Sequence, residues 1–280
     1  LNISLAGNVS GKASLSSLFN NPLFLSDLSM SDLVFNQQSM GDGELKALWN
    51  NEENKIHLLS YSQRGLSEIF RIEGDYFPNS RKIDFNFSFD KLNLKSISPY
   101  TTKLISELKG LSSGRLKLAG TLNKPILDGE INLFKTSFIV NYLQTRYNLS
   151  DNLEINNNIV FFKDFKVFDA KGNSSSVNGK ILSQYLRNIN LDLTIETDNF
   201  EFLNTNSNDN EMFYGNIFAG GVVNIDVPPN NLTMNIDARS GRNSIFYIPL
   251  YGSEEINETN FIKFVKDDNE YEKQETNKSE

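Results

Sequence analysis

The chain of 280 residues contains no cysteine, one histidine, one tryptophan and seven prolines. Without thiols there is no disulfide framework, no thiolate nucleophile and no Cys-ligated zinc. An oxidising compartment is compatible with that absence, which does not itself choose one. No apolar run approaches the roughly 20 residues that a membrane-spanning helix needs. No signal peptide opens the chain, and its first residues, LNISLAG, already read as a strand. A targeting segment is therefore expected upstream, in a longer protein. Positive charge is also scarce: 27 Lys and Arg against 35 Asp and Glu leave a net charge of −8, with no basic cluster. Nucleic acid demands concentrated positive charge and is excluded as a partner, and an anionic membrane surface is an equally poor direct target.

What is present is apolar and alternating. With 21 Phe and 10 Tyr in a chain that is 39% hydrophobic, a great deal of surface can be buried, and a disordered chain is excluded. The length sits where a single core stops growing, so one large domain and an extended array are both open. Period two recurs from end to end, the mark of half-buried strands. In RKIDFNFSFDKL, Ile83, Phe85, Phe87 and Phe89 share one face while Asp84, Asn86, Ser88 and Asp90 share the other. NINLDLTIET repeats the split with Leu191, Leu193 and Ile195, and LTMNIDAR repeats it with Leu232, Met234 and Ile236. In GRLKLAGTLNKPILDGEINL, Leu116, Leu118, Leu122, Leu127, Ile131 and Leu133 are expected inward, with Arg115, Lys117, Asp128, Glu130 and Asn132 outward. Gly120 and Gly129 fall on the inner face by parity, leaving room for a bend or a ligand. Further strands are expected at 1–9, 44–49, 55–62, 66–73, 153–156, 159–168, 176–182, 214–227 and 244–250.

Turns are expected at Asp42-Gly43, Glu73-Gly74-Asp75, Asp128-Gly129, Lys171-Gly172-Asn173 and Pro228-Pro229-Asn230-Asn231. One helix is expected near 98–109, in SPYTTKLISELKG, from Ser98 as cap and Pro99 at the first helical position to Gly110 as stop, and a weaker one at 14–19. The expected organisation is a groove segment over 1–110, a second over 111–253, and a charged linker over 254–280 in which FIKFV, 261–265, alone looks ordered. Strands this regular keep one face in water, so helices do not cover both sides. The apolar faces must then meet each other, as in a sandwich, or meet a ligand in a sheet curled into an open U.

Signs of catalysis are few. His57 is flanked by Ile56 and Leu58 in a strand and reads as a structural or surface side chain. The carboxylates sit at turns or on wet faces, where solvation leaves them untuned. NTNSNDNEM, 204–212, has oxygen ligands but lacks the sixth-position glycine of a calcium loop. DAKGNSSSVNG, 169–179, has no Lys after its glycine and is no phosphate loop. The Asn-x-Ser/Thr triplets at Asn86, Asn148, Asn173 and Asn231 follow from an Asn-, Ser- and Thr-rich composition. The chain is read as a non-enzyme with no cofactor and no metal.

The run Gly114–Leu133 resembles the G-x-L-x-L-x-G-T-x-x-x-P-x-L-x-G-x-I-x-L segments of the TamB family, the AsmA-like envelope proteins of diderm bacteria. FIVNYLQTRYNLSD (138–151), FKVFDAKGNSSSVNGKI (165–181), NDNEMFYGNIFAGGVVNI (208–225), SIFYIPL and FIKF follow in the family's order, and the Asn-rich composition is Bacteroidota-like. The resemblance implies an all-β fold, a β-taco: a long antiparallel sheet rolled into an open U-shaped hydrophobic groove, with one or two short helices. It implies phospholipid acyl chains as ligands, movement of phospholipid between inner and outer membranes, and support of outer-membrane protein assembly or secretion with an Omp85-family partner. Periplasmic location follows, with anchoring in the inner membrane through segments absent from this sequence. The groove lining is then expected at Phe85, Phe87, Phe89, Leu116, Leu118, Leu122, Leu127, Ile131, Leu133, Leu191, Leu193, Ile195, Leu232, Met234 and Ile236. The rival readings are a β-sandwich or solenoid adhesion module and a carbohydrate-active enzyme with paired carboxylates. The first should show polar or aromatic loops at sheet ends, and the second acidic residues on an inner face.

Overall fold

Alternating apolar and polar residues from one end of the chain to the other produce one antiparallel sheet of 15 strands. The computed structural model describes residues 3–16, 23–185, 188–227 and 233–249. The strands are β1 (Leu5–Ser16), β2 (Leu23–Phe35), β3 (Gln38–Asn50), β4 (Lys55–Arg64), β5 (Ser67–Phe77), β6 (Lys82–Asn93), β7 (Ile105–Thr121), β8 (Lys124–Val140), β9 (Thr145–Asn156), β10 (Ile159–Asp169), β11 (Ser174–Gln184), β12 (Asn188–Thr205), β13 (Tyr214–Val227), β14 (Thr233–Ser240) and β15 (Ile245–Tyr247). Each of the first 14 pairs with its sequence neighbours, and β15 pairs with β13 beyond the end of β14. The sheet stays open. β7 runs through residues 110 and 111, with a register shift against β8 between Lys109 and Leu111.

The hairpins turn on asparagine more than on the expected Asp-Gly pairs. Asn36-Gln37 and Asn157-Asn158 both hold positive φ at both positions, the geometry whose twist matches that of the flanking strands. Asp42-Gly43, Glu73-Gly74-Asp75 and Asp128-Gly129 instead lie inside β3, β5 and β8. Their glycines are there for contact across the sheet. A Cβ at Gly74 would lie 2.8 Å from Phe85 Cδ1, and one at Gly114 would lie 2.8 Å from Phe89 Cζ. Each ring therefore covers the bare backbone of the facing strand, as large aromatics do beside strand glycines. The Lys171-Gly172-Asn173 turn is where it was expected, and 228–231 lies outside the described residues.

The helix expected over 98–109 is much shorter. A 3₁₀ turn, Leu94–Ile97, runs into α1, Ser98–Thr101, and β7 has begun by Ile105. Pro99 lies in the first turn of α1, but the cap position is Ile97 and Ser98 is already helical, one residue earlier than expected, and Ile105 and Leu108 answer to the sheet. The weaker helix at 14–19 is also corrected, since Ser14–Ser16 end β1 in register with β2; the remainder of it lies outside the described residues, as does 261–265.

Strict alternation breaks at several places, and on five alternate strands it breaks on the same side of the sheet. On β2, β6, β8, β10 and β12 two residues stand opposite one of the next strand: Ser31 and Asp32 opposite Asp42, Asp90 and Lys91 opposite Ser113, Phe134 and Lys135 opposite Ser150, Lys163 and Asp164 opposite Asn178, Asp198 and Asn199 opposite Gly220. Such bulges bend a strand and raise its twist. In the first four the second residue is left-handed, with φ between 46° and 52°. Its amide leaves the ladder and finds the side chain opposite: Asp32 N–H donates to Asp42 Oδ1 (3.0 Å), Lys91 to Ser113 Oγ (2.9 Å), Lys135 to Ser150 Oγ (2.8 Å) and Asp164 to Asn178 Oδ1 (2.8 Å). These bulges form a crease along the sheet, with residues inward on both sides of each step, as in Met30 and Leu33 or Phe162 and Phe165.

The crease predicts a specific pattern of stability. Lys135→Gly removes a left-handed side chain and should stabilise by up to about 1 kcal/mol. Lys135→Val places a β-branched residue there and should cost about 1–3 kcal/mol, while Ser150→Ala should cost about 1 kcal/mol by orphaning the Lys135 amide. Chemical denaturation reads all three, and a neutral Lys135→Val would mean that the crease does not hold this conformation.

Candidate functional site

Register makes the inner face continuous. One row of directly opposed residues runs Gly11, Leu28, Leu45, Ser60, Ile72, Phe87, Leu116, Gly129, Ile155, Val160, Ile181, Leu191, Val227. Apart from two glycines and a serine every member is apolar. The next outer row is polar, with Tyr61, Arg71, Ser88, Arg115, Glu130 and Glu154 in succession. The five bulges all lie on the same side of the apolar row, and they divide the face into two arms of different character.

Beyond the crease the arm is dry. Leu33, Met40 and Ile69 form one buried cluster with Met30, Phe35, Phe70 and Leu92 against it. Leu149, Phe165 and Val177 form another, packed by Leu133, Phe138, Leu153, Phe162, Val167, Leu193 and Ile195. A polar latch closes this arm. The β10–β11 hairpin ends at a turn whose Asp169 is 1% exposed; its carboxylate accepts Lys171 N–H (2.9 Å), Asn173 N–H (2.9 Å), Asn173 Nδ2 (2.7 Å) and, from β12, Glu201 N–H (3.1 Å). Past that hairpin β12 reaches back to the start of β9. Asn204 N–H donates to Leu143 C=O at 3.0 Å, Tyr147 stacks on Phe200 with ring centroids 5.1 Å apart, and Tyr147 Oη donates to Glu201 C=O at 3.1 Å. Burial pushes the Tyr147 phenol well above its ordinary range.

On the other side of the crease the apolar residues line a trough and are mostly half-buried. Phe85, Phe87, Phe89, Leu116, Leu118, Leu127, Ile131 and Leu191 are there together. Leu133, Leu193 and Ile195 share the face but pack on the second cluster, so they serve the protein's own core as well. Leu122 is placed differently from its parity: it lies in the β7–β8 turn, 52% exposed, because the alternation stops at Thr121 and restarts at Lys124. Ile236 lies on β14 opposite Val223 and is 63% exposed. Met234 is opposite Ile225, and Leu232 lies outside the described residues. Leu45, Leu58, Ile72, Ile181 and Ile225 continue the face and were not singled out from the sequence; the signal for them is register, which a single strand's pattern does not carry.

The polar groups have structural work. His57 Nδ1 is 2.8 Å from Asp75 Oδ1, and Lys55 Nζ is 3.1 Å from Asp75 Oδ2. Burial raises the Asp75 carboxyl, but the hydrogen bonds from His57 and Lys55 outweigh it and hold the group below the usual carboxylate range. Gly110-Leu111-Ser112-Ser113-Gly114 spells the Gly-x-Ser-x-Gly pattern of a nucleophile elbow, which requires an exposed serine between strand and helix. Ser112 is instead 4% exposed in the middle of β7, opposite Leu92 and Leu133. In 204–212, Asp209 Oδ2 accepts Asn206 N–H at 2.9 Å, a local turn. Among the described residues no group of three or more His, Cys, Asp or Glu could hold a metal ion, and no helix is long and apolar enough to cross a membrane.

An open meander with an apolar trough on one side of a crease defines the class: a β-taco groove protein. Residues 163–280 match the family model described as the TamB C-terminal domain. Over those residues the chain is similar to the TamB family of the translocation and assembly module. The match begins in β10 and includes 254–280, the stretch read above as a linker. No curated protein and no solved structure matches the chain.

The two carboxylates predict opposite behaviour. Asp169→Ala leaves buried N–H donors without an acceptor and should cost about 3 kcal/mol. Asp75→Asn removes a partly exposed pair and should cost about 0.2–1 kcal/mol at neutral pH. Because its folded pKa is lowered, the Asp75 contribution is present above the ordinary carboxylate range and is lost as pH falls through the lowered value. Thermal melts from neutral to acid pH should therefore show the Asp75→Asn deficit shrinking towards acid, and a deficit that persists in acid would assign its cause to packing.

Proposed function

We propose that the trough is a conduit for phospholipid acyl chains between the inner and outer membranes, working in the periplasm and supporting outer-membrane protein assembly or secretion with an Omp85-family partner. The observation that carries this reading is the apolar row from β2 to β12, interrupted by Ser60 and Gly129 alone and mostly half-buried, while a separate core is packed beyond the crease. A row made for permanent packing would be covered. A chain of methylenes gains about 0.8 kcal/mol for each CH₂ taken from water, wherever along the row it lies, so binding is strong in sum and nearly uniform in position. Sliding then meets low barriers. Among the described residues the two buried carboxylates, Asp169 and Glu201, are taken up by the latch, where Asp169 accepts backbone amides and Glu201 accepts Asn216 Nδ2, which favours the conduit over the enzyme reading; the similarity of residues 163–280 to the TamB C-terminal domain favours it over an adhesion module.

The test is an ultraviolet-activated cross-linking side chain at Phe87 or Leu116, with Asn86 and Lys117 as outer-face controls, in cells that make the protein. Phospholipid should be captured from the first pair and little from the second; equal capture from both would end the proposal. A charge in the trough gives an independent check. The glutamate of Leu116→Glu can reach water once lipid leaves, so the variant should lose about 1–2 kcal/mol of leucine burial, keep a native circular dichroism spectrum, and lose most lipid capture.

A further inference from the structure

A cavity of about 280 Å³ opens at the β1 end of the molecule, where β2 and β3 beyond the crease approach β5 and β6. Its exposed lining is apolar throughout, with Leu33, Met40, Phe70, Phe87 and Leu92 on the walls and Ile97 above. Leu33 and Met40 face Phe70, Phe87 and Leu92 across it, from strands distant in sequence. The roof is the helical insertion between β6 and β7, tied down by Asn36. Asn36 Nδ2 donates to Ser96 C=O (2.7 Å) and to Tyr100 Oη (3.2 Å), and its Oδ1 accepts Ser4 N–H (2.9 Å). At the mouth Leu5 and Ile97 are 65% and 37% exposed.

We propose that this cavity seats the methyl end of one phospholipid acyl chain, whose remainder lies in the open trough. Three observations select that occupant. Ile72 and Phe87 belong both to the cavity wall and to the trough row, so a chain passes from one to the other without crossing a polar group. An apolar void stays dry, since water would lack hydrogen-bond partners there, and smaller ones of about 150 Å³ accept hydrocarbon guests. Beneath the roof tied by Asn36 the space is about 280 Å³, room for a run of methylenes and too little for a helix or a strand. The assignment rests on the lipid reading of the trough and adds a terminus to it: transit of lipid at this end requires the chain to be withdrawn from beneath Ile97.

The experiment uses phosphatidylethanolamine vesicles containing a phosphatidylethanolamine with a diazirine at the acyl methyl end or, separately, beside the ester. After illumination, peptides bearing Leu33, Met40 and Leu92 should be labelled by the methyl-end probe and not by the ester-side probe. Ile97→Trp fills the mouth and should lower this labelling at least about tenfold, equivalent to 1.4 kcal/mol, with labelling of the Leu116 peptide and the melting temperature unchanged. Leu5→Trp, on the exposed edge strand, should act the same way if Ile97→Trp proves unstable. Labelling at Leu116 without labelling of the cavity overturns the cavity while leaving the trough standing, and so does cavity labelling that is equal for both probes or insensitive to the tryptophans. Absence of label at every site overturns both.

Discussion

The structure depends on where a displaced backbone amide finds its acceptor. A single flat sheet of this length would expose its apolar face from edge to edge, and closing it requires each strand to bend at the same height. A bulge supplies the bend but removes one N–H from the ladder, and an unpaired amide costs about as much as the hydrogen bond it lost. Asp42, Ser113, Ser150 and Asn178 remove that cost from the opposite strand, each by accepting the amide of the left-handed residue. The fifth bulge, on β12, faces Gly220 instead, and there the strand leaves its neighbour to join the latch under the β10–β11 turn. Where the side-chain acceptor ends, the regular crease ends with it.

Much of the fold was legible because period two is a local property. The faces of β6, β8 and β12 could be assigned from their own residues, and the family resemblance converted a set of amphipathic strands into a groove. β2 was missed because Leu23–Phe35 contains its bulge: Met30-Ser31-Asp32-Leu33 puts two inward residues three apart, which reads as broken alternation. β10 carries the same step at Phe162-Lys163-Asp164-Phe165, yet the strand expected at 159–168 is there, because apolar residues flank the step on both sides. The turns were misassigned for a related reason. Asp-Gly is the usual hairpin signal, but Gly43 and Gly129 lie mid-strand against the backbone of the facing strand, and Gly74 lies under the Phe85 ring, while asparagines hold the left-handed turn positions.

The helical insertion shows tertiary packing overriding a local signal. Pro99 sits in the first turn of a helix, where its missing N–H costs nothing, yet by Ile105 the alternation of β7 prevails, because Leu108 gains a buried place and pairing with β8 gives the backbone its hydrogen bonds. What survives is a short cap, and its position over a cavity could not be read from its own sequence. That cavity is walled by Leu33 and Met40 on strands distant in sequence, and its roof is tied by Asn36 on the turn between them. Sites of this kind are properties of register, which needs every strand placed before any one pocket appears.

The question raised by the alternating leucines, whether their face serves a permanent core or a passing ligand, has a divided answer, and the division explains how an open groove can be stable. An apolar trough left half-exposed returns only part of the burial that pays the chain's ordering entropy. Here each strand carries both arms, so the residues beyond the crease, such as Leu149, Phe165 and Val177, supply dry packing to the strands whose other halves form the trough. Because pairing is between sequence neighbours almost throughout, stability accumulates strand by strand as in a solenoid. The trough can then be as long as the sheet without any part of it having to be filled. Residues at the boundary, Leu133, Leu193 and Ile195, belong to both arms, and there a polar substitution damages the core before it tests the groove. Trough function has to be probed at Phe87 and Leu116, away from that boundary.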